Sequence, residues 1–161
     1  MPVVVNVISS CSGVGKTTLI EGVIKELINS GYRVSTIKHD SHGFDIDKEG
    51  KDTYRHREAG ASQIFISSKN RLAMIKELTQ ETELEDIINM ASDTDFIIIE
   101  GYKNSIYKKI EVFRSNISEK IITPKDKLIA IASDIDHKEA LVPVVDINNY
   151  KEIANIIKRL K

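Results

Sequence analysis

Several residue types are scarce in this chain of 161 residues, and each scarcity excludes a class of protein. The single cysteine, Cys11, leaves no internal disulfide framework and no zinc ribbon built from cysteines, and it favours a reducing compartment. No stretch approaches the roughly 18 apolar residues of a membrane-spanning helix. With three prolines and eight glycines, the chain has no low-complexity linker, and it contains no internal repeat. We therefore expect a cytoplasmic protein with no membrane partner.

An excess of either charge is also missing. Lys and Arg total 23 and Asp and Glu total 24, so the formal net charge is -1. Such a chain has no overall basic field for a nucleic acid, and any bound anion must be held by a local site. Hydrophobic residues make up 41% of the chain, which is enough to bury a core. The length favours one globular domain, over residues 1–161.

The first forty residues predict a strand, a loop, a helix and a second strand. Residues 3–9 form a β-branched run that is typical of a strand buried on both faces. Apolar residues then recur at helical spacing over residues 19–28, and residues 33–37 form the next strand. This order predicts a parallel sheet with a helical crossover, and hence an α/β fold.

Further elements follow along the rest of the chain. The pattern predicts buried or edge strands over residues 95–101, 128–132 and 140–147, a possible hairpin over 63–67 and 72–75, and helices over 52–59 and 82–90. Polar and apolar residues alternate over 109–114, as in a half-exposed strand. Asn149 with Glu152 predicts a start resembling a capping box for a closing helix. The predicted buried stripe of this helix comprises Ile153, Ile156, Ile157 and Leu160.

Residues 10–17, Ser-Cys-Ser-Gly-Val-Gly-Lys-Thr, match the phosphate-loop pattern G-x-x-x-x-G-K-[ST] except at the first position, where serine replaces glycine. A strand before the loop and a helix after it point main-chain N–H groups and the positive helix end at a phosphate. Lys16 would reach the outer phosphates, and the Thr17 hydroxyl would hold Mg²⁺. The alternative is a chance Gly/Lys turn at a helix start. The predicted phosphate-binding residues are Ser12, Gly13, Val14, Gly15, Lys16, Thr17 and Thr18.

The loop completes the fold prediction: a P-loop NTPase-like three-layer α/β fold with a mainly parallel central sheet and added β-hairpin strands. In such a fold an acidic residue at the carboxyl end of a hydrophobic strand faces the loop. Glu100 ends the strand predicted over residues 95–101, and we assign it to Mg²⁺, directly or through water. The alternative is that Glu100 only caps the turn into Gly101.

A polar segment follows the second strand. Lys38, His39 and Asp40 are predicted to face the outer phosphate there, with Asp40 orienting a water molecule as a catalytic residue beside Lys16. A solvated loop is an equally good interpretation. His42, Asp45 and Asp47 lie on the same segment, but the cluster has no recognised ligand spacing, so a zinc site is not expected.

Base recognition is predicted at Asp134. This residue ends a buried strand at the same edge of the sheet, and its carboxylate can accept hydrogen bonds from guanine N1–H and N2–H, a pairing that adenine does not offer. An ordinary turn-starting aspartate is the alternative. The guanine signature N-K-x-D is absent; the imitation Thr-Pro-Lys-Asp over residues 123–126 precedes a strand instead of following one.

Six segments together resemble the MobB family of molybdopterin-guanine dinucleotide biosynthesis adapters: residues 12–18, 36–40, 44–52, 57–61, 99–103 and 131–134. The resemblance implies GTP binding with Mg²⁺, weak intrinsic GTPase activity, a homodimer, and partnership with the guanylyltransferase that attaches GMP to molybdopterin. It leaves open whether molybdopterin itself binds. Carried over residue by residue, it implies a phosphate loop, an Mg²⁺ site and a guanine end formed by Gly13, Gly15, Lys16, Thr17, Glu100 and Asp134.

Two other functions stay open. A small-molecule P-loop kinase would use the same loop and close Arg55, Arg57 or Arg114 on an acceptor, although no arginine-rich lid is evident. A pure interaction module with a vestigial loop conflicts with the intact residues 15–17 and with Glu100. The leading hypothesis is a GTP-binding adapter with weak GTPase activity in molybdenum cofactor biosynthesis. In this hypothesis the polar segment after the second strand and Lys103, beside Glu100, surround the γ-phosphate.

Overall fold

The computed structural model describes residues 1–161. It has eight strands and four helices, and the strands and helices alternate only over the first part of the chain. The strands are β1 Val3–Ile8, β2 Val34–Lys38, β3 Gln63–Ser68, β4 Arg71–Lys76, β5 Phe96–Glu100, β6 Lys108–Phe113, β7 Leu128–Ser133 and β8 Val144–Asp146. The helices are α1 Lys16–Asn29, α2 Asp52–Glu58, α3 Leu84–Met90 and α4 Tyr150–Lys158.

Contacts divide the chain into two compact units: residues 1–39 with 87–161, and residues 40–86. The first unit holds a six-stranded sheet in the order β2-β5-β1-β6-β7-β8, in which every neighbouring pair is parallel. The second unit holds the antiparallel hairpin β3-β4. The predicted α/β class, parallel sheet and added hairpin are thereby confirmed, while the single domain stays a prediction.

The core of the first unit forms where α1 and α4 pack on the sheet. At the crossing of the two helices, a Cβ atom on Gly22 would lie 2.3 Å from Cγ of Tyr150, so only glycine fits there. The start of α4 is capped as predicted, because the Asn149 side chain accepts a hydrogen bond from the Glu152 main-chain N–H at 3.2 Å. Leu160 was wrongly predicted to be buried: α4 ends at Lys158, and Leu160 is 38% exposed.

Strand β6 is buried on both faces, and its prediction as a half-exposed strand is wrong. Lys109 and Glu111 are each 1% exposed, because chain segments before and after β6 pack on them and supply their hydrogen-bond partners. Buried polar groups need partners. The Glu111 carboxylate accepts main-chain N–H groups of Ile122 at 2.9 Å and Thr123 at 2.8 Å. Strand β8 is also shorter than predicted, since it begins only after Pro143 and has three residues.

The sheet order decides which residues meet at its carboxyl edge. Strand β5 lies between β1 and β2, and Glu100 is in register with Val7 on one side and Lys38 on the other. The loop that follows β1 therefore starts beside Glu100. No helix of the structure has the length and the apolar content that crossing a membrane requires.

Candidate nucleotide-binding site

The loop between β1 and α1 has the backbone geometry that its glycines allow. Gly13 and Gly15 have φ of 75° and 98°, in the left-handed region that other residues adopt at a cost. Gly15 is the N-cap of α1 and supplies no side-chain hydrogen bond to the helix. The first N–H groups of a helix have no partner within it and carry a partial positive charge. Val14 is fully buried and fixes the loop to the core.

Lys16, the first residue of α1, turns back over the loop. Its Nζ atom donates a hydrogen bond to Ser9 Oγ at 2.9 Å and lies 3.5 Å from the Cys11 carbonyl oxygen. Ser9 is itself fully buried. The ammonium group is thus held over the inner side of the loop, as its predicted phosphate contact requires.

Three lysines and one glutamate share this part of the structure. Burial is the largest cause lowering the pKa of Lys16; Glu100 raises it, and the positive charges of Lys103 and Lys38 lower it further. Positive groups therefore outnumber negative ones at this loop, in a chain whose formal net charge is -1. Such an excess is suited to a polyphosphate.

Thr17 and Glu100 bring two kinds of oxygen together. Thr17 Oγ1 lies 3.5 Å from each carboxylate oxygen of Glu100. Hydroxyl and carboxylate oxygens are ligands that Mg²⁺ prefers, and this ion takes its other ligands from water and substrate phosphates. No group of three or more His, Cys, Asp or Glu side chains converges as a metal site of its own. The donor set therefore fits a magnesium ion held jointly with phosphates.

The structure brings two of the three residues predicted after β2 to Glu100. Lys38 is its neighbour in register, and the main-chain N–H of His39 donates to the Glu100 carbonyl oxygen at 2.9 Å. The His39 ring packs against Tyr102, with centroids 4.4 Å apart. Asp40 begins the second unit, where its carboxylate accepts the main-chain N–H of His42 at 2.9 Å. The catalytic role of Asp40 stays a prediction.

Asp134 follows β7, at the carboxyl edge of the same sheet. Its carboxylate accepts the Ser115 main-chain N–H at 2.8 Å and the Ser115 hydroxyl at 3.0 Å. The main-chain hydrogen bond is the largest cause lowering the pKa of Asp134, and the nearby charge of Arg114 contributes. The side chain is exposed, and an ionised carboxylate has about four acceptor sites. It can therefore accept further donors.

A family model described as Molybdopterin guanine dinucleotide synthesis protein B, MobB, matches residues 4–134. The chain belongs to the MobB family. The molybdopterin-guanine dinucleotide biosynthesis adapter protein of Haemophilus influenzae is 35% identical over 153 residues, covering 94% of this chain and 85% of the relative. That of Escherichia coli is 38% identical over 154 residues, covering 91% and 86%. The resemblance seen in six segments of the sequence is confirmed.

Solved structures of MobB proteins show the same fold. The crystal structure of a molybdopterin-guanine biosynthesis protein B covers 99% of this chain and 100% of its own, with a TM-score of 0.76 and 22% identity. That of Bacillus subtilis MobB covers 97% and 98%, with a TM-score of 0.75 and 24% identity. The α/β fold read from the sequence is therefore that of known MobB structures.

Two basic residues of this MobB family member contact the loop. Lys103 was predicted to lie near the γ-phosphate, whereas Arg114 was predicted only as an acceptor contact of the alternative kinase. Lys103 Nζ donates to the Ser10 carbonyl oxygen at 3.2 Å, and Arg114 Nε donates to the Val14 carbonyl oxygen at 3.3 Å. Both lie just after strands that flank β1 in the sheet. In the sequence each is a basic residue that follows a buried strand. Only the strand order shows that these two residues reach the loop.

Arg57 is engaged elsewhere in the MobB chain. Within the second unit its guanidinium pairs with Asp47 at 3.2 Å and with Asp45 at 3.3 Å. The side chains of Arg57 and Asp47 are 18% and 3% exposed. This pair fixes the segment before α2 to the helix, so Arg57 is not a free cation of the kind that a kinase would close on an acceptor.

Proposed function

We propose that this chain is a GTP-binding adapter of molybdopterin guanine dinucleotide biosynthesis with slow intrinsic GTPase activity. The observation that carries the proposal is the convergence of Lys16, Thr17 and Glu100 at one glycine loop that opens a helix. Relatives named as adapters of this biosynthesis support the pathway. The partner we propose is the guanylyltransferase that attaches GMP to molybdopterin.

The roles follow from the contacts. The loop N–H groups and Lys16 bind the phosphates, and Lys38 and His39 line the side formed by β2. Thr17 and Glu100 hold Mg²⁺, which when bound offsets the charge of the phosphate oxygens. We expect slow hydrolysis, because phosphoryl transfer depends on positioning and on added cations, and the Arg114 Nε–H is committed to the main chain of the loop.

Guanine selection is assigned to Asp134. Its lowered pKa keeps the carboxylate ionised at neutral pH, so it only accepts hydrogen bonds. Guanine offers two donors, N1–H and N2–H, on one edge, whereas adenine N1 is an acceptor that an ionised carboxylate repels. The bonds from Ser115 fix the orientation of the carboxylate.

A homodimer is proposed from the hairpin. Its large apolar side chains are exposed: Phe65 61%, Ile66 55%, Leu72 70% and Met74 48%. Phe65 and Met74 are partners across the two strands and share one face with Leu72, whereas Ile66 lies on the opposite face. A two-stranded hairpin is marginally stable alone, and a contiguous apolar patch marks an interaction surface. A second copy of the chain offers a patch of the same character.

The test is a calorimetric titration with GTP and with ATP, each with and without Mg²⁺. We expect a Mg²⁺-dependent preference for GTP. Lys16→Ala should abolish binding, whereas Lys25→Ala, an exposed lysine of the same helix, should leave it unchanged. Binding that survives Lys16→Ala would contradict the site.

Base selection has its own comparison. Asp134→Asn should erase the preference for GTP over ATP, because the amide presents a donor where guanine needs acceptors. Asp136→Asn, two residues further along and also exposed, is the matched control. Equal or tighter binding of ATP by the unaltered chain would favour a kinase and remove Asp134 from the site.

A further inference from the structure

The charge around the loop exceeds what Lys16 alone supplies. The ammonium groups of Lys103 and Lys38 act electrostatically on Lys16, and Glu100 offsets one of the three charges. The remaining like charges repel one another, and a bound polyanion would relieve that repulsion. The arrangement therefore suggests that more than one lysine contacts the bound phosphates.

Lys103 is placed for such a contact. Its Nζ atom donates to the carbonyl oxygen of Ser10, the residue that stands where the phosphate-loop pattern has its first glycine. A lysine ammonium has three donors on a flexible stem, so it can contact a phosphate oxygen beside this bond or in place of it. The positive charge of Lys103 also lowers the pKa of Lys16, so the two ammonium groups are near each other. In such loops the lysine at the position of Lys16 reaches the β- and γ-phosphates. Its charge thus faces the terminal end of a nucleotide.

The segment that carries Lys103 is held in place by two buried polar side chains of the neighbouring strands β1 and β6. Asn6 of β1, fully buried, donates from Nδ2 to the Tyr102 carbonyl oxygen and to Ser105 Oγ, both at 2.9 Å. Lys109 of β6 donates from Nζ to the Ser105 carbonyl oxygen at 2.7 Å. Separating these buried donors from their acceptors is costly, although the Asn6 Oδ1 atom itself has no hydrogen-bond partner. The main chain at Lys103 is therefore held while its side chain is free to reorient.

We infer that Lys103 contacts the γ-phosphate and makes the site discriminate nucleoside triphosphates from diphosphates. The inference rests on the proposed function and adds a specificity-determining residue to it. Lys16 contacts the β-phosphate, which both nucleotides carry, so it supports the binding of both, whereas the bond from Lys103 is gained only with the terminal phosphate of the triphosphate.

The experiment compares the affinities for GTP and GDP, with Mg²⁺, in Lys103→Gln and in the unaltered chain. Loss of one charge-assisted hydrogen bond should weaken GTP binding by about tenfold and leave GDP binding nearly unchanged. Lys103→Arg, which keeps the charge, should restore most of the ratio. Lys108→Gln is the matched control, since Lys108 also donates to a main-chain carbonyl, that of Asp126 at 2.9 Å.

The outcomes separate the two proposals. If the unaltered chain binds neither nucleotide, the proposed function fails, and this inference fails with it. If the chain binds both and Lys103→Gln weakens GTP and GDP equally, or neither, then only the role of Lys103 is overturned. A fall in the GTP-to-GDP affinity ratio confined to Lys103→Gln supports it.

Discussion

Thr17 Oγ1 lies 3.5 Å from both carboxylate oxygens of Glu100, although the two residues are 83 positions apart in the chain. Thr17 belongs to the first turn of α1, and Glu100 is the last residue of β5. Because β5 pairs directly with β1, the end of β5 and the helix that follows β1 meet at one edge. Two oxygen donors at this spacing form a site that a divalent cation can complete.

Replacing Glu100 by glutamine is expected to uncouple GTP binding from Mg²⁺. The amide keeps the shape of the side chain but removes the charge that the ion needs. We expect an apparent Mg²⁺ affinity weaker on the order of tenfold or more, measured by calorimetric titration of GTP at several Mg²⁺ concentrations. Glu139→Gln, at an exposed glutamate, is the control. An unchanged Mg²⁺ dependence would remove Glu100 from the metal site.

GTP affinity is expected to fall at alkaline pH. The pKa of Lys16 is lowered, so the ammonium loses its charge at a lower pH than an ordinary lysine does. Below that pKa the charged form binds phosphate, and above it the attraction is lost. Since Glu100 raises the pKa of Lys16, Glu100→Gln should move the fall to lower pH. Affinities of both proteins, measured from about pH 7 to about pH 10, test this. Guanine itself also titrates, but it does so equally with both proteins, so the difference between their curves reports on Lys16. Coincident curves would contradict the coupling.

Most of the site was predictable because its signals are local. The glycines, Lys16 and Thr17 lie in one short motif, and Glu100 is marked by its place at the end of a hydrophobic strand. The contact of Lys103 with the loop depends on β5 lying beside β1, and that of Arg114 on β6 lying there. Strand order is a property of the whole sheet, which no short segment of sequence specifies.

The burial of β6 shows a second limit. Alternation of polar and apolar residues normally indicates one solvated face. Lys109 and Glu111 break the rule because chain segments before and after β6 supply their hydrogen-bond partners. Partners of Glu111 lie 11 and 12 residues away in a loop. A pattern of polarity cannot distinguish a side chain solvated by water from one whose partners are main-chain groups.

Gly22→Ala is expected to destabilise the first unit. The added Cβ atom would lie 2.3 Å from Cγ of Tyr150, so either the ring or α4 must shift. Overpacking costs typically about 1–3 kcal/mol, partly offset by the roughly 1 kcal/mol that alanine gains over glycine in a helix. We therefore expect a lower free energy of unfolding for Gly22→Ala than for the unaltered chain, measured by denaturant titration.

Controls for this change are available on the same two helices. Lys25→Ala on the exposed side of α1 should stay within about 0.5 kcal/mol of the unaltered chain. Tyr150→Ala should remove the clash, so the double variant should lose less than the sum of the two single variants. Strict additivity would mean that the helices separate to accept the methyl group.

Phe65→Ser is expected to weaken self-association. Phe65 is 61% exposed and faces the same side of the hairpin as its cross-strand partner Met74, so the change removes the largest side chain of the proposed dimer surface. Because large aromatic residues in an interface often contribute more than 1 kcal/mol each, we expect the dimer dissociation constant to rise about tenfold, measured by sedimentation equilibrium. Leu141→Ser replaces a side chain that is 83% exposed in the first unit and serves as the control. If the two variants dissociate alike, or neither does, the surface lies elsewhere. An unchanged circular dichroism spectrum shows that a loss of association is not a loss of the hairpin.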